Sequence, residues 1–107
     1  MNNLETTLHY SELLNLYGNL LSDTQREMME DYYCYNLSFS EIADNRHVTR
    51  SAVEDAVKKG KKKLDEYEKK LSSLKALNLI HKIKSETSDE NVTSQLDEVE
   101  RIMKHGI

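Results

Sequence analysis

The sequence predicts an all-α protein built around a helix-turn-helix, and three observations lead there. Proline is absent and there are only 3 glycines, so almost nothing interrupts a helix. Apolar residues recur three and four positions apart along most of the chain, the period of a helix with one buried face. Between residues 38 and 59, two such stretches flank a gap of turn length, with the small residue Ala43 where two helices must approach closely. With 107 residues, 37% of them hydrophobic and 32% charged, the chain suffices for one domain with a modest core.

The first helix is marked by Tyr10, Leu13, Leu14, Tyr17, Leu20 and Leu21, with Gly18 inside the stripe. Ser22 followed by Gln25 has the spacing of a capping box and starts a second helix, whose inward residues are Met28, Met29, Tyr32 and Tyr33. That helix ends near Tyr35 and Asn36, because asparagine tolerates the left-handed conformation of a helix stop. Ser38 and Glu41 repeat the capping-box spacing and open a short third helix with Phe39, Ile42 and Ala43 inward. A turn at Asn45, Arg46 and His47 follows, with Val48 directed into the core and Thr49 capping the fourth helix through its hydroxyl.

In the fourth helix, Val53, Val57, Gly60, Leu64, Tyr67, Leu71 and Leu74 alternate four and three apart, a heptad seam that Leu77, Ile80 and Ile83 continue with a slight phase shift. From Arg50 to Lys84 the rod is roughly 50 Å long at 1.5 Å per residue, with a bend allowed at Gly60. Three short helices cannot cover such a seam. After a polar loop from Ser85 to Asn91, a last helix carries Val92, Leu96, Val99 and Met103 inward and stops at Gly106. Folding back onto the distal half of the rod is its simplest placement; a homodimer through the long-helix seam is the alternative. Residues 1–60 are thus the helix-turn-helix domain, and 61–107 are a long-helix extension with the C-terminal helix, within the same compact unit.

Several function classes are disfavoured. No run approaches the eighteen apolar residues of a membrane span, the amino terminus lacks a signal-peptide pattern, and Cys34 as sole cysteine allows neither an internal disulfide nor a Cys-rich zinc site. A cytoplasmic location is expected. His9, His47, His81 and His105 stand far apart, there is no phosphate-binding glycine loop, and the carboxylates lie on lysine-rich faces. No catalytic residue, metal or cofactor is expected, and the protein is read as a binding protein, not an enzyme. The net charge of −4 argues mildly against general nucleic-acid binding while leaving room for a local basic patch.

The candidate binding residues lie on the fourth helix. A recognition helix reads bases from its first two turns, here Thr49, Arg50, Ser51, Glu54 and Asp55. Arg50 and Ser51 suit phosphate or guanine contacts. Glu54 could accept from cytosine, or with Asp55 it could simply form a solvated face. Lys58, Lys59, Lys61, Lys62 and Lys63 wrap most of the helix around Gly60. They can contact a nucleic-acid backbone or an acidic protein face, or pair locally at four-residue spacing: Glu54 with Lys58, Asp55 with Lys59, Lys62 with Glu66. Tyr32 and Tyr33 are read as core rather than as a base-stacking platform.

Preceded by Leu20-Leu21-Ser22-Asp23-Thr24-Gln25-Arg26, the helix-turn-helix resembles region 4 of bacterial sigma factors. A closer resemblance is to the YlxM family. It is carried by Leu13 to Tyr17, Leu20 to Arg26, Asp31-Tyr32-Tyr33, Leu37 to Asp44, Val48 to Val53 with Asp55, and Asp65 to Leu71. Arg46, His47 and Glu54 depart from the family pattern, where an apolar residue, a Gly or Asn, and an aromatic are expected. The resemblance implies a sigma-region-4-like domain on a longer helical scaffold. It also implies an accessory or regulatory role toward the signal recognition particle, through its GTPase subunit, its RNA, or both. The alternative is a transcription regulator that binds duplex DNA.

Overall fold

The computed structural model describes residues 4–105, so the stop expected at Gly106 lies outside the described residues. These residues form six α-helices: α1 (Leu4–Tyr17), α2 (Asp23–Tyr33), α3 (Phe39–Arg46), α4 (Arg50–Leu71), α5 (Ser73–Glu86) and α6 (Glu90–His105), with no strand among them. A 3-10 turn, Gly18–Leu20, links α1 to α2. It takes Leu20 off the α1 stripe and leaves it exposed, while Leu16 joins the buried set instead.

The caps fall where the sequence places them. Ser22 accepts from the Gln25 N–H at 3.3 Å to start α2. At Ser38 the capping box is complete: the hydroxyl accepts from the Glu41 N–H at 3.1 Å, and the Glu41 carboxylate accepts from the Ser38 N–H at 3.0 Å. Thr49 accepts from the Ala52 N–H at 3.1 Å to open α4. Asn36 sits at φ 56°, the left-handed stop expected after α2.

One continuous core takes its buried residues from all the helices except α6, whose half-buried Leu96 and Met103 pack against it, and Leu13, Tyr17, Met29, Ile42, Val53 and Leu64 in it are nearly inaccessible. Helix α4 packs against α1, α2 and α3 together, and α5 packs on α1 and α6. The buried residues of α4 are Val53, Val57, Gly60 and Leu64, the first half of the heptad seam. The three preceding helices cover this first half, and the distal half of the seam is packed by α1 and α6, in keeping with the expectation that three short helices alone cannot cover all of it.

The expected rod from Arg50 to Lys84 is two helices. Ser72 adopts a left-handed conformation at φ 54° and separates α4 from α5, whereas the helix runs unbroken through Gly60. Leu71 is exposed at this break, and Leu74, Leu77 and Ile80 bury a new stripe, so the phase shift in the apolar spacing falls only at Leu77, beyond the break itself. The connection is held by Glu68. Its carboxylate accepts from the Leu74 and Lys75 N–H groups at 3.0 and 3.1 Å, taking the place of a side-chain cap that Ser72 does not supply. The Tyr17 hydroxyl donates to the same carboxylate at 2.7 Å and accepts from the Ser73 N–H at 3.1 Å, which ties the end of α1 to the start of α5.

The last loop is shorter than expected, residues 87–89, and Asp89 accepts from the Asn91 N–H at 2.9 Å to start α6. Helix α6 folds back on α5, the distal half of the expected rod. Val92, Leu96 and Met103 face α5 only partly covered and Val99 is exposed, so no residue of α6 is fully buried. Two contacts fix the register, a hydrogen bond between His81 Nε2 and Glu100 at 2.7 Å and the ion pair of Lys84 with Asp97.

Candidate nucleic-acid interface

Helices α2, α3 and α4 build the helix-turn-helix. Ile42 and Ala43 of α3 meet Val53 of α4 in the core, all three buried. The bend lies two residues later than expected, over 47–49 rather than 45–47. His47 takes the left-handed position at φ 56°, as its departure from glycine required. The Val48 N–H bonds the Ala43 carbonyl at 3.1 Å, closing α3 in a six-residue Schellman-type turn. That geometry turns the Val48 side chain along the surface, 39% exposed. The expectation that Val48 plugs the turn is therefore corrected: its backbone, rather than its side chain, makes the junction.

Arg46, where the family pattern has an apolar residue, clamps the end of α3 onto α2. Its Nε bonds Asp31 at 2.8 Å and its Nη1 bonds Glu27 at 3.1 Å. Asp31 raises the guanidinium pKa further above an already high value, mainly through this hydrogen bond. Tyr33 is buried, and burial pushes its pKa up to about 12. Tyr32 is half-buried and stacks on Phe39, with ring centroids 4.6 Å apart.

The candidate residues differ in what they are free to do. Thr49 is engaged as a cap. The Arg50 guanidinium sits over the Phe39 ring at 5.9 Å from its centroid, a platform that sequence inspection missed because the pair spans the turn. Ser51 and Glu54 are exposed. No acidic residue occupies the first turn of α4, so the positive end of its dipole is uncompensated. Lys59 pairs with Asp55 at 3.0 Å, one of the three local pairs expected. Lys61 lies over the Tyr10 ring at 5.2 Å, and Lys63 donates to Gln25 at 3.3 Å, so both turn toward the helices that cover α4. Lys58 and Lys62 are exposed and make no ion pair among the described residues, which removes the expected pairs with Glu54 and Glu66.

Helical geometry then sorts the lysines. Positions 51, 58, 62 and 69 fall within a narrow sector on the side of α4 away from Val53, Val57 and Leu64. Ser51, Lys58, Lys62 and Lys69 form an exposed stripe along more than four turns. Lys69 was not singled out from sequence, although its spacing of seven from Lys62 was the signal. Elsewhere, no group of three or more His, Cys, Asp or Glu among the described residues is placed to hold a metal. No helix among them is long and apolar enough to cross a membrane.

Comparison with known proteins places this architecture. The UPF0122 family, described as "Putative helix-turn-helix protein, YlxM / p13 like", matches residues 4–104. A UPF0122 protein of Malacoplasma penetrans is 43% identical over 96 residues, covering 88% of this chain and 90% of its own length. One from Mycoplasma capricolum is 41% identical over 93 residues, covering 83% and 82% respectively. A third, from Shouchella clausii, is 35% identical over 107 residues, covering 92% and 98%.

Proposed function

Starting from the fact that the chain belongs to the YlxM / p13-like helix-turn-helix family, we propose that it is a non-catalytic accessory protein of the signal recognition particle. It acts in the cytoplasm, grips the particle's RNA through the α4 lysine stripe and so comes to lie against the GTPase subunit. The observation that carries this reading is the pair of unneutralised lysines, Lys58 and Lys62, aligned with Lys69 beyond the first two turns of α4. A helix that reads duplex bases does so from its first two turns. Here those turns present Glu54, which repels the phosphates on either side of a major groove, and Asp55, whose charge is already matched by Lys59. The positive charge comes later along the helix, where it can follow a backbone without inserting the helix end into a groove.

A second reading, a sigma-region-4-like regulator on duplex DNA, is favoured by one observation: Arg50 and Ser51 stand at an acid-free helix start. The two readings predict different measurements. On the first, the tagged full chain retains the targeting RNA and its GTPase from lysate, and nuclease treatment releases the GTPase as well. Replacing Lys58 and Lys62 together by Gln lowers the slope of log K against log salt by about 1.4 for single-stranded RNA, while Arg50→Ala changes little. On the second, Arg50→Ala abolishes preference for one duplex sequence. Failure to retain either the RNA or the GTPase, with a preferred duplex recovered instead, overturns the first reading.

A further inference from the structure

The α5–α6 hairpin has an apolar side that nothing among the described residues covers. In α5, Leu74 and Leu77 turn toward α1, and the shallow groove between α1, α5 and α6 lies on that flank. The opposite flank of α5 carries Leu79, 57% exposed, and Ile83, 38% exposed. In α6, Val99 and Ile102 are 44% and 58% exposed. The His81–Glu100 hydrogen bond and the Lys84–Asp97 ion pair set the antiparallel register. Leu79 therefore stands level with Ile102, and Ile83 with Val99. Helical periodicity puts all four on the same side of the hairpin, away from α1. Such a contiguous apolar face, on a hairpin whose second helix buries no residue fully, marks an association surface.

The charges identify what covers it. On this side α5 presents Lys75 and Lys82 with the single acid Glu86, while Lys84 is turned to Asp97 within the hairpin. On α6 the acid bordering Val99 and Ile102 is Glu98, whereas Asp97 and Glu100 are engaged within the hairpin by Lys84, His81 and Lys104. A surface with one basic and one acidic helix side by side complements itself when turned by 180° about an axis parallel to the helices, so that each α5 lies over the other copy's α6. The same rotation keeps residues level and sets Leu79 against Ile102 of the second copy and Ile83 against Val99 of the second copy. Rotation about an axis perpendicular to the helices would instead put lysine-rich α5 on α5.

We infer that two copies of this chain pair through these faces into an antiparallel four-helix bundle, α5 on α6, with both helix-turn-helix units at one end. The pairing does not use the heptad seam of α4, which is filled within the chain. A small apolar contact ringed by exposed charge gives a weak dimer, with Kd in the micromolar range.

The test is sedimentation of the full chain from about 1 to about 100 μM. The molar mass should rise from monomer to dimer across that range. Leu79→Glu with Ile102→Glu should remain monomeric throughout with an unchanged circular dichroism melt, because both positions are exposed. Lys82→Glu and Glu98→Lys should each weaken pairing about fivefold, and the double charge swap should restore it. A wild-type chain that stays monomeric overturns the inference. So does a Lys82→Glu variant that pairs more tightly, the signature of α5 on α5. A monomer that needs Leu79 and Ile102 to retain the targeting GTPase assigns the face to that protein and overturns self-pairing too.

Discussion

At Gly60 a missing side chain decides how closely two helices lie. A Cβ placed there would stand 2.1 Å from the Met29 Sδ and 3.2 Å from the Gln25 Cγ, so the glycine is what lets α4 press against α2. In an open helix, Gly60→Ala would gain about 1 kcal/mol. Here Met29 is wholly buried, and overpacking costs about 1–3 kcal/mol. The variant should therefore unfold at lower urea, and adding Met29→Ala should cost clearly less than the sum of the two single changes. Sequence patterning identified Gly60 only as a weak point in a seam. The close approach depends on a residue 31 positions earlier in the chain, which no local pattern can express. His47 was legible for the opposite reason, since a left-handed position after a short helix is a local requirement. Val48 was misread because the turn closes through its N–H, and a side-chain pattern is silent on which backbone groups pair.

Among the elements, the junction of α4 and α5 depends most on a single side chain. Glu68 caps α5 from within α4 and holds the Tyr17 hydroxyl. Glu68→Gln keeps the shape but loses the charge-assisted bonds to two helix-start N–H groups, at a cost of about 1–2 kcal/mol. Hydrogen exchange should quicken in α5 and α6 while the buried turns of α4 keep their protection; uniform loosening of all six helices would contradict this account. Patterning missed the junction. The four-three alternation runs from Leu71 into Leu74 without a gap, and neither proline nor glycine marks the break, because a serine occupies the left-handed position. The caps at Ser22, Ser38 and Thr49 were all legible, being made by side chains three residues from the N–H they serve. The lysine run was legible as charge, but its division into a free stripe and a tethered pair was not. Lys61 and Lys63 are held by Tyr10 and Gln25, residues of other helices.

Taken as a whole, the molecule is an elongated bundle of 52 × 24 × 21 Å whose stability should fall at both ends of the pH scale. Hydrogen bonds from Ser38 hold the Glu41 carboxyl below the usual carboxylate range, and Lys104 followed by His81 do the same for Glu100. Depressed acids contribute stability above their unfolded value, about 4.3, and that contribution is lost as the pH falls through the folded value. Burial raises the hydroxyl pKa of Tyr10, Tyr17 and Tyr33, with the bond to Asp65 adding to the shift at Tyr10. Their contribution is complete below the unfolded value of about 10 and declines as the pH climbs through the folded values. Melting temperature should therefore be flat between these limits, and phenolate absorbance should show tyrosines ionising beyond pH 10. A melting temperature that held steady from pH 10 to about 12 would contradict the burial of these rings. The knot of Tyr17, Glu68 and Ser73 has a further consequence during synthesis. The hydroxyl at the end of α1 finds its backbone donor 56 residues later, so on a translating ribosome the early helices cannot finish docking until residues past Ser73 have left the exit tunnel. Until then Leu13, Leu14 and Tyr17 of the nascent chain remain within reach of chaperones and proteases.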